Sequence, residues 1–220
     1  MLLDLLVPRR CAACGRLGAA ICRRCIAELP RLRGPGCARC GAPTAWPVAR
    51  CLECAGRRLA FASARAAVAY LGPVRPFVSA WKEHGLRSLA DEAANVIANT
   101  VERPWVDALA FVPPDGDRSV KRGHHPAERL ARELGSHWSL PVVCALGRAR
   151  APRPQRGLTL AERRKNVAGT FVTLSSVPAR IGLVDDVYTT GSTVSAAASA
   201  LRRVGARHVS VVTFARAVRQ

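Results

Sequence analysis

The chain is poor in acidic residues and has no long hydrophobic run. Asp and Glu number 15 against 34 Lys and Arg, so the formal net charge is +19. Such a chain should attract polyanions such as nucleic acid, nucleotides or pyrophosphate, unless its arginines simply solvate the surface. No apolar stretch reaches the length of a membrane span. In residues 1–10 the apolar run is too short for a secretion signal, and the basic residues follow this run instead of preceding it. We therefore expect a cytoplasmic protein without membrane insertion.

Composition changes near residue 58. Residues 1–58 are rich in Cys, Gly, Pro and Arg and lack periodicity, which indicates short turns held by something other than a hydrophobic core. From residue 59 to 220 strand-like and helix-like segments alternate, which predicts an α/β domain with a mostly parallel sheet and flanking helices. The patterns predict strands at 64–70, 108–112, 142–146, 181–184 and 209–214, and helices at 74–84, 86–101, 127–137, 159–165 and 192–204.

Eight of the nine cysteines form four Cys-x-x-Cys pairs within the first 54 residues. Two such pairs complete one tetrahedral site with four thiolate ligands, so the four pairs predict two structural zinc ions. Disulfides are disfavoured because nothing suggests export, and an iron–sulfur cluster usually has uneven spacing. Sequential pairing is the simplest arrangement, and an interleaved pairing stays open. The predicted ligands are Cys11, Cys14, Cys22, Cys25, Cys37, Cys40, Cys51 and Cys54, whereas Cys144 is expected in the core.

The segment 181–193 predicts a phosphate-binding loop. It reads Ile-Gly-Leu-Val-Asp-Asp-Val-Tyr-Thr-Thr-Gly-Ser-Thr, and its strand delivers Asp185 and Asp186 to the sheet edge where α/β proteins bind ligands. Two adjacent carboxylates suit ribose hydroxyls, directly or through Mg²⁺, unless they merely cap the next helix. The segment lacks the Gly-Lys-Ser/Thr ending of a Walker A loop. Backbone N–H groups, hydroxyls and a helix N-terminus suit a phosphate at Thr189, Thr190, Gly191, Ser192 and Thr193.

This segment resembles the PRPP-binding signature of type I phosphoribosyltransferases, in which a hydrophobic strand ends in two acidic residues and a small hydroxyl-rich loop. The four Cys-x-x-Cys pairs followed by such a domain resemble the ComF family over essentially the full length. That family includes competence proteins and GntX-like proteins. The resemblance implies a double zinc ribbon over residues 1–58 and a type I phosphoribosyltransferase-like domain over residues 59–220. It also implies Mg²⁺-dependent binding of PRPP, with Asp185 and Asp186 as catalytic residues.

Three further segments bear on the ligand. Trp81-Lys82 and Lys121-Arg122-Gly123 fit the family pattern, and Lys121 and Arg122 would help to hold pyrophosphate. Many members read Arg-Gly-Phe-Asn-Gln where this chain continues with His124-His125-Pro126, which leaves the acceptor unidentified. We expect the two histidines to face solvent rather than to serve acid–base chemistry. Residues 148–168 are strongly basic and are a candidate lid, a groove for single-stranded DNA, or an exposed loop without a ligand.

Two functions follow from these patterns. The first is a phosphoribosyltransferase that acts on PRPP and an unknown acceptor. The second is a non-catalytic accessory factor that binds single-stranded DNA and keeps the PRPP pocket as a regulatory site. The resemblance implies a role in DNA uptake for either, with a helicase or channel protein of the uptake machinery as a further partner.

Overall fold

The computed structural model describes residues 10–83, 85–114, 125–148 and 170–218. Several sequence predictions lie outside these residues. They are the helix at 159–165, the pair Lys121 and Arg122, and the candidate lid apart from Arg148.

A five-stranded parallel sheet lies at the centre of the described residues. The strands in chain order are β1 (Ser63–Ala69), β2 (Ala108–Phe111), β3 (Val142–Val143), β4 (Leu146–Arg148), β5 (Phe171–Thr173), β6 (Arg180–Tyr188) and β7 (His208–Arg216). The sheet has the order β1-β7-β6-β2-β3, and all its pairs are parallel. Strands β4 and β5 form a separate antiparallel pair. The predicted mostly parallel sheet is thus confirmed.

Helices cover both faces of this sheet. The described helices, in chain order, are α1 (Arg23–Ala27) in the Cys-rich segment, α2 (Val74–Lys82), α3 (Leu89–Ala98), α4 (Pro126–Trp138) and α5 (Ser192–Arg203). Helices α2, α3 and α4 share one hydrophobic cluster, and α5 belongs to a second. Strand β7 contributes to both because its side chains alternate, with Val212 and Phe214 in the first cluster and Val209 and Val211 in the second. Among the described helices none is long and apolar enough to cross a membrane.

Two strands differ from the sequence predictions. The segment 142–146 is divided because β3 pairs with β2 for only two residues, after which the chain turns to pair with β5. Cys144 lies between these short strands and is exposed, so its predicted core position is wrong. Strand β6 continues through Tyr188 because β7 still pairs with it there, which places Asp185 and Asp186 inside the strand.

The Cys-rich segment packs on the α/β core. Cys11 and Cys25 belong to the hydrophobic cluster of α2, α3 and α4, whereas Cys37, Cys40 and Cys54 belong to that of α5. Apolar packing therefore crosses residue 58, and the domain boundary at that position stays a prediction.

Candidate phosphate-binding cleft and metal sites

Four cysteine sulfurs converge at each of two points. The first zinc site consists of Cys11, Cys14, Cys22 and Cys25, and the second consists of Cys37, Cys40, Cys51 and Cys54. Within each site all four Sγ atoms lie within 4.8 Å of one another, so the sequential pairing is the one that forms. Four thiolates satisfy tetrahedral zinc and leave no position for catalysis. Both four-cysteine sites are therefore structural.

Backbone geometry in the second zinc site favours a thiolate. The Cys37 sulfur accepts hydrogen bonds from the N–H groups of Cys40, at 3.5 Å, and Cys51, at 3.3 Å. Although burial opposes ionisation, these N–H groups lower the pKa of Cys37 to about 6. Because the thiolate is the form that binds metal, this geometry prepares Cys37 for zinc, whereas burial raises the pKa of Cys40 and Cys54 in the metal-free site.

A cleft of about 480 Å³ opens at the carboxyl ends of β2 and β6. Strand β2 stops at Phe111, opposite Val184, and the chain then leaves the sheet through Pro113 and Pro114, which line the cleft. From β2 the chain moves outward to β3, whereas from β6 it moves to β7 on the other side. Such a reversal of direction is where open α/β sheets form ligand crevices.

The two predicted carboxylates lie in this cleft with a lysine from α2. The Lys82 Nζ atom lies 2.7 Å from Asp186 Oδ1, and Asp185 Oδ1 accepts a hydrogen bond from the Asp186 N–H at 2.9 Å. Burial and the neighbouring Asp186 charge raise the pKa of Asp185 to about 8, although Lys82 and Arg148 oppose the shift. Without a bound cation, the surroundings of Asp185 therefore disfavour its ionised form.

The predicted phosphate loop lies beside the carboxylates. Thr189 and Thr193 line the cleft, and Thr190 Oγ1 lies 3.0 Å from Ser192 Oγ. Helix α5 begins directly after Gly191, and its first turn contains no acidic residue. The first N–H groups of the helix and the positive end of its dipole therefore favour an anion at this position.

Gly191 has two reasons to be glycine. Its φ of +74° lies in the left-handed region, and an added Cβ would collide with the ring and hydroxyl of Tyr188. Tyr188 itself is buried in the core. The tightest point of the loop is therefore packed directly on the end of β6.

The structure adds cleft residues that sequence patterns did not assign to the site. Lys82 was noted only for its fit to the family pattern. Arg148, expected in a lid, is held on the cleft wall, where its Nε donates to the Pro113 carbonyl at 3.0 Å and its guanidinium lies 4.9 Å from the Phe171 ring centre. His125, expected to face solvent, lines the cleft while its side chain stays 41% exposed. For Arg148 and His125 the only sequence signal was a positive or titratable side chain next to a predicted element.

Known proteins resemble both the Cys-rich segment and the chain as a whole. Residues 2–56 match the family model of the double zinc ribbon domain. Competence protein F of Haemophilus influenzae is 27% identical over 94% of this chain and 97% of its own. The DNA utilization protein YhgH of Salmonella typhimurium is 30% identical over 94% of this chain and 96% of its own. Competence protein ComFC of Streptococcus pneumoniae is 25% identical over 70% and 68% of the two chains.

Two solved structures are also similar to part of this chain. Glutamine PRPP amidotransferase from B. subtilis has a TM-score of 0.40 and 20% identity, covering 58% of this chain and 26% of that one. Purine phosphoribosyltransferase from Pyrococcus horikoshii has a TM-score of 0.36 and 19% identity, covering 59% and 74%. With a relative 30% identical over nearly the whole of both proteins, the chain belongs to the ComF family of competence protein F and the DNA utilization proteins YhgH.

Proposed function

We propose that the cleft binds PRPP with Mg²⁺ and that its chemistry is phosphoribosyl transfer to an acceptor still to be identified. The observation that carries this proposal is the pair Asp185 and Asp186 beside Lys82, next to a helix N-terminus without acidic residues. A phosphate ester of a sugar needs both features, because its phosphate requires N–H donors and its hydroxyls require acceptors.

The loop Thr189, Thr190, Gly191, Ser192 and Thr193 holds the 5′-phosphate in this proposal. Its hydroxyls and the first N–H groups of α5 donate hydrogen bonds to the phosphate oxygens. Gly191 has no Cβ, and a Cβ at this position would crowd the left-handed turn. Since the loop sits at the end of β6, the ribose extends from it toward the two carboxylates.

Asp185 and Asp186 accept hydrogen bonds from the ribose hydroxyls or hold Mg²⁺ near them. The donor set fits Mg²⁺, which prefers carboxylate oxygens and keeps several waters or substrate oxygens. When bound, the ion supplies charge neutralisation for the pyrophosphate. Asp185 would have to be ionised to hold the ion, and Asp186 would share its charge between the ion and Lys82.

Lys82 and Arg148 then provide positive charge for pyrophosphate. Lys82 is held at the cleft by its ion pair with Asp186, and Arg148 is oriented by the Pro113 carbonyl and the Phe171 ring. Lys121 and Arg122 stay candidates for the same role, outside the described residues. Transfer breaks the bond between ribose C1 and a pyrophosphate oxygen, which leaves with the electron pair. A lone pair of the acceptor forms the new bond at C1, and the acceptor loses a proton.

Titration calorimetry with PRPP tests this proposal. We expect heat of binding in the presence of Mg²⁺ and affinity roughly tenfold higher at pH 9 than at pH 7, because a group with a pKa of about 8 is mostly protonated at pH 7 and must be ionised to bind the cation. Replacing Lys82 by Met should weaken binding, whereas replacing the exposed Arg75 of the same helix by Gln should not. Absence of binding at both pH values would refute the proposal.

A second candidate function, binding of single-stranded DNA in the cytoplasm during uptake, has its own supporting observation. A second cleft of about 430 Å³ is lined by Arg31, Arg33 and Arg65 beside the second zinc site. Hydrogen bonds to Thr100 Oγ1, the Asn99 carbonyl and the Ala38 carbonyl orient these three guanidinium groups. Fixed cations along a groove suit a phosphate backbone, and a helicase or channel protein of DNA uptake would deliver the strand.

Anisotropy of a labelled oligothymidylate, measured over a range of salt concentrations, tests this second function. We expect the affinity to fall steeply with salt, and the double change Arg33→Gln with Arg65→Gln should reduce the logarithmic slope by about 0.7 for each phosphate that is no longer neutralised. The exposed Arg75, on α2, is the matched control. A salt-independent affinity, or equal slopes for all three proteins, would argue against DNA binding at this cleft.

A further inference from the structure

A buried arginine connects the second zinc site to the phosphate loop. Arg216, at the end of β7, is 1% exposed. Its Nη1 donates to the Cys40 carbonyl at 2.6 Å, and its Nη2 lies 3.7 Å from Cys40 Sγ and also contacts the Glu53 carboxylate. The same guanidinium lies over the Tyr188 ring, 4.6 Å from its centre. Tyr188 in turn forms the surface against which Gly191 packs.

A second arginine makes the connection directly. Arg57 follows the last Cys-x-x-Cys pair of the second zinc site, and its Nη1 donates to the Thr190 carbonyl at 2.7 Å. Because the peptide between Thr190 and Gly191 is planar, holding the Thr190 carbonyl also fixes the direction of the Gly191 N–H. A few residues further, the Ala60 N–H donates to Ser195 Oγ at 3.1 Å in the first turns of α5.

The first zinc site has a different environment. Cys11 and Cys25 pack in the hydrophobic cluster of α2, α3 and α4. The second zinc site shares its cluster with Tyr188 and with Val194 of α5, which flank the loop on either side. The two metal sites are chemically alike, but among the described contacts only the second zinc site reaches the loop through a chain of hydrogen bonds and ring contacts.

We propose that the second zinc site sets the conformation of the phosphate loop through Arg57 and Arg216, which act as positioning residues, and that the first zinc site does not. The consequence for ligand affinity rests on the proposed function of the loop, whereas the consequence for loop order does not. Metal in the second zinc site thereby becomes a condition for a preformed phosphate pocket.

Charge explains why Arg216 depends on the metal. Four thiolates and one Zn²⁺ carry a net charge of −2, which complements a buried guanidinium together with Glu53. Loss of the metal frees the Cys-x-x-Cys turns that hold the Cys40 carbonyl, which is the acceptor of the Arg216 hydrogen bond. A buried cation with fewer partners is costly, so Arg216 is expected to move away and to release Tyr188.

Hydrogen exchange of the full-length, ligand-free protein tests the proposal. Cys51→Ser and Cys22→Ser are a matched pair, since both residues are half-buried and each belongs to one zinc site. Each variant should lose one zinc per chain. We expect faster exchange across residues 189–195 only in Cys51→Ser. Equal protection of this segment in both variants, or faster exchange in both, would overturn the proposal.

The arginine link is tested with both metals retained. Arg57→Met keeps the aliphatic stem but removes the donor to Thr190, and Arg58→Met removes the same charge from the exposed neighbouring residue. We expect roughly tenfold faster exchange of residues 189–195 in Arg57→Met alone, the equivalent of removing one charged hydrogen bond. Unchanged exchange would refute the role of Arg57, even if the cysteine variants fail to fold.

Ligand binding is measured separately on the same proteins with PRPP and Mg²⁺. If wild-type protein binds no PRPP, the proposed function fails, yet the exchange experiment still decides whether the second zinc site orders the loop. If wild-type protein binds, Arg57→Met should bind more weakly than Arg58→Met. Equal affinities would contradict the link between loop order and ligand affinity.

Discussion

Replacing Asp185 and Asp186 together by asparagine is expected to weaken PRPP binding at least about 100-fold, because each carboxylate contributes a charge-assisted interaction on the order of 1.5–3 kcal/mol. Asparagine keeps the shape of each side chain but neither attracts Mg²⁺ nor accepts ribose hydrogen bonds as strongly. Zinc content should stay at two per chain, since both four-cysteine sites lie outside the cleft. Calorimetry and metal analysis on the same preparation check both statements.

Asp185→Asn alone should weaken ligand binding but increase the stability of the folded protein relative to wild type as the pH rises. Its pKa rises on folding from 3.8 to about 8, so between these pH values the folded chain binds more protons at this site than the unfolded chain. The stability of the wild-type protein therefore falls as pH rises through that window. Asp185→Asn removes this dependence, and we expect its stability relative to wild type to increase from pH 5 to pH 9 in denaturant titrations.

The exposed carboxylate Asp91, in the first turn of α3, provides the control for both measurements. Asp91→Asn should leave PRPP affinity unchanged and should not alter how stability varies between pH 5 and pH 9. If the double variant binds PRPP as wild type does, the carboxylates have no part in the ligand site and the assignment of the cleft is wrong.

Replacing Gly191 by alanine is expected to abolish measurable PRPP binding and to destabilise the protein by about 2 kcal/mol. The added Cβ meets two obstacles at once, a φ of +74° and the ring of Tyr188. Relief of the collision requires the loop or Tyr188 to move, and either movement disturbs the start of α5. Thermal unfolding and calorimetry measure the two effects.

A substitution at Gly15 distinguishes the effect of backbone strain from that of a collision with a neighbouring side chain. Its φ is +73°, but apart from its chain neighbours no atom of the described residues lies within 4 Å of the position that a Cβ would take. Gly15→Ala should therefore cost only about 1 kcal/mol from the left-handed backbone and should leave PRPP affinity intact. Equal losses of stability in the two variants would mean that Tyr188 does not restrict the loop.

Sequence patterns predicted most of the elements but not all of their limits. Short runs of apolar residues located β1, β2, β6 and β7, because a strand buried on both faces is apolar over most of its length. The same patterns missed β5 and merged β3 with β4, since short strands at an edge contain too few residues to show a period. The end of β6 at Tyr188 depended on pairing with β7, which is not a local property of the strand.

By itself the sequence determined the cysteine sites and predicted the phosphate loop, because both patterns depend on spacing along the chain. Cys-x-x-Cys pairs imply tetrahedral metal, and two carboxylates shortly before Thr-Thr-Gly-Ser-Thr predict a site for a phosphate and a ribose. Tertiary structure decided which cysteine pairs share a metal and which cations face the carboxylates. It also brought Arg57 and Arg216 from distant parts of the chain to the loop, which only packing of distant segments can achieve.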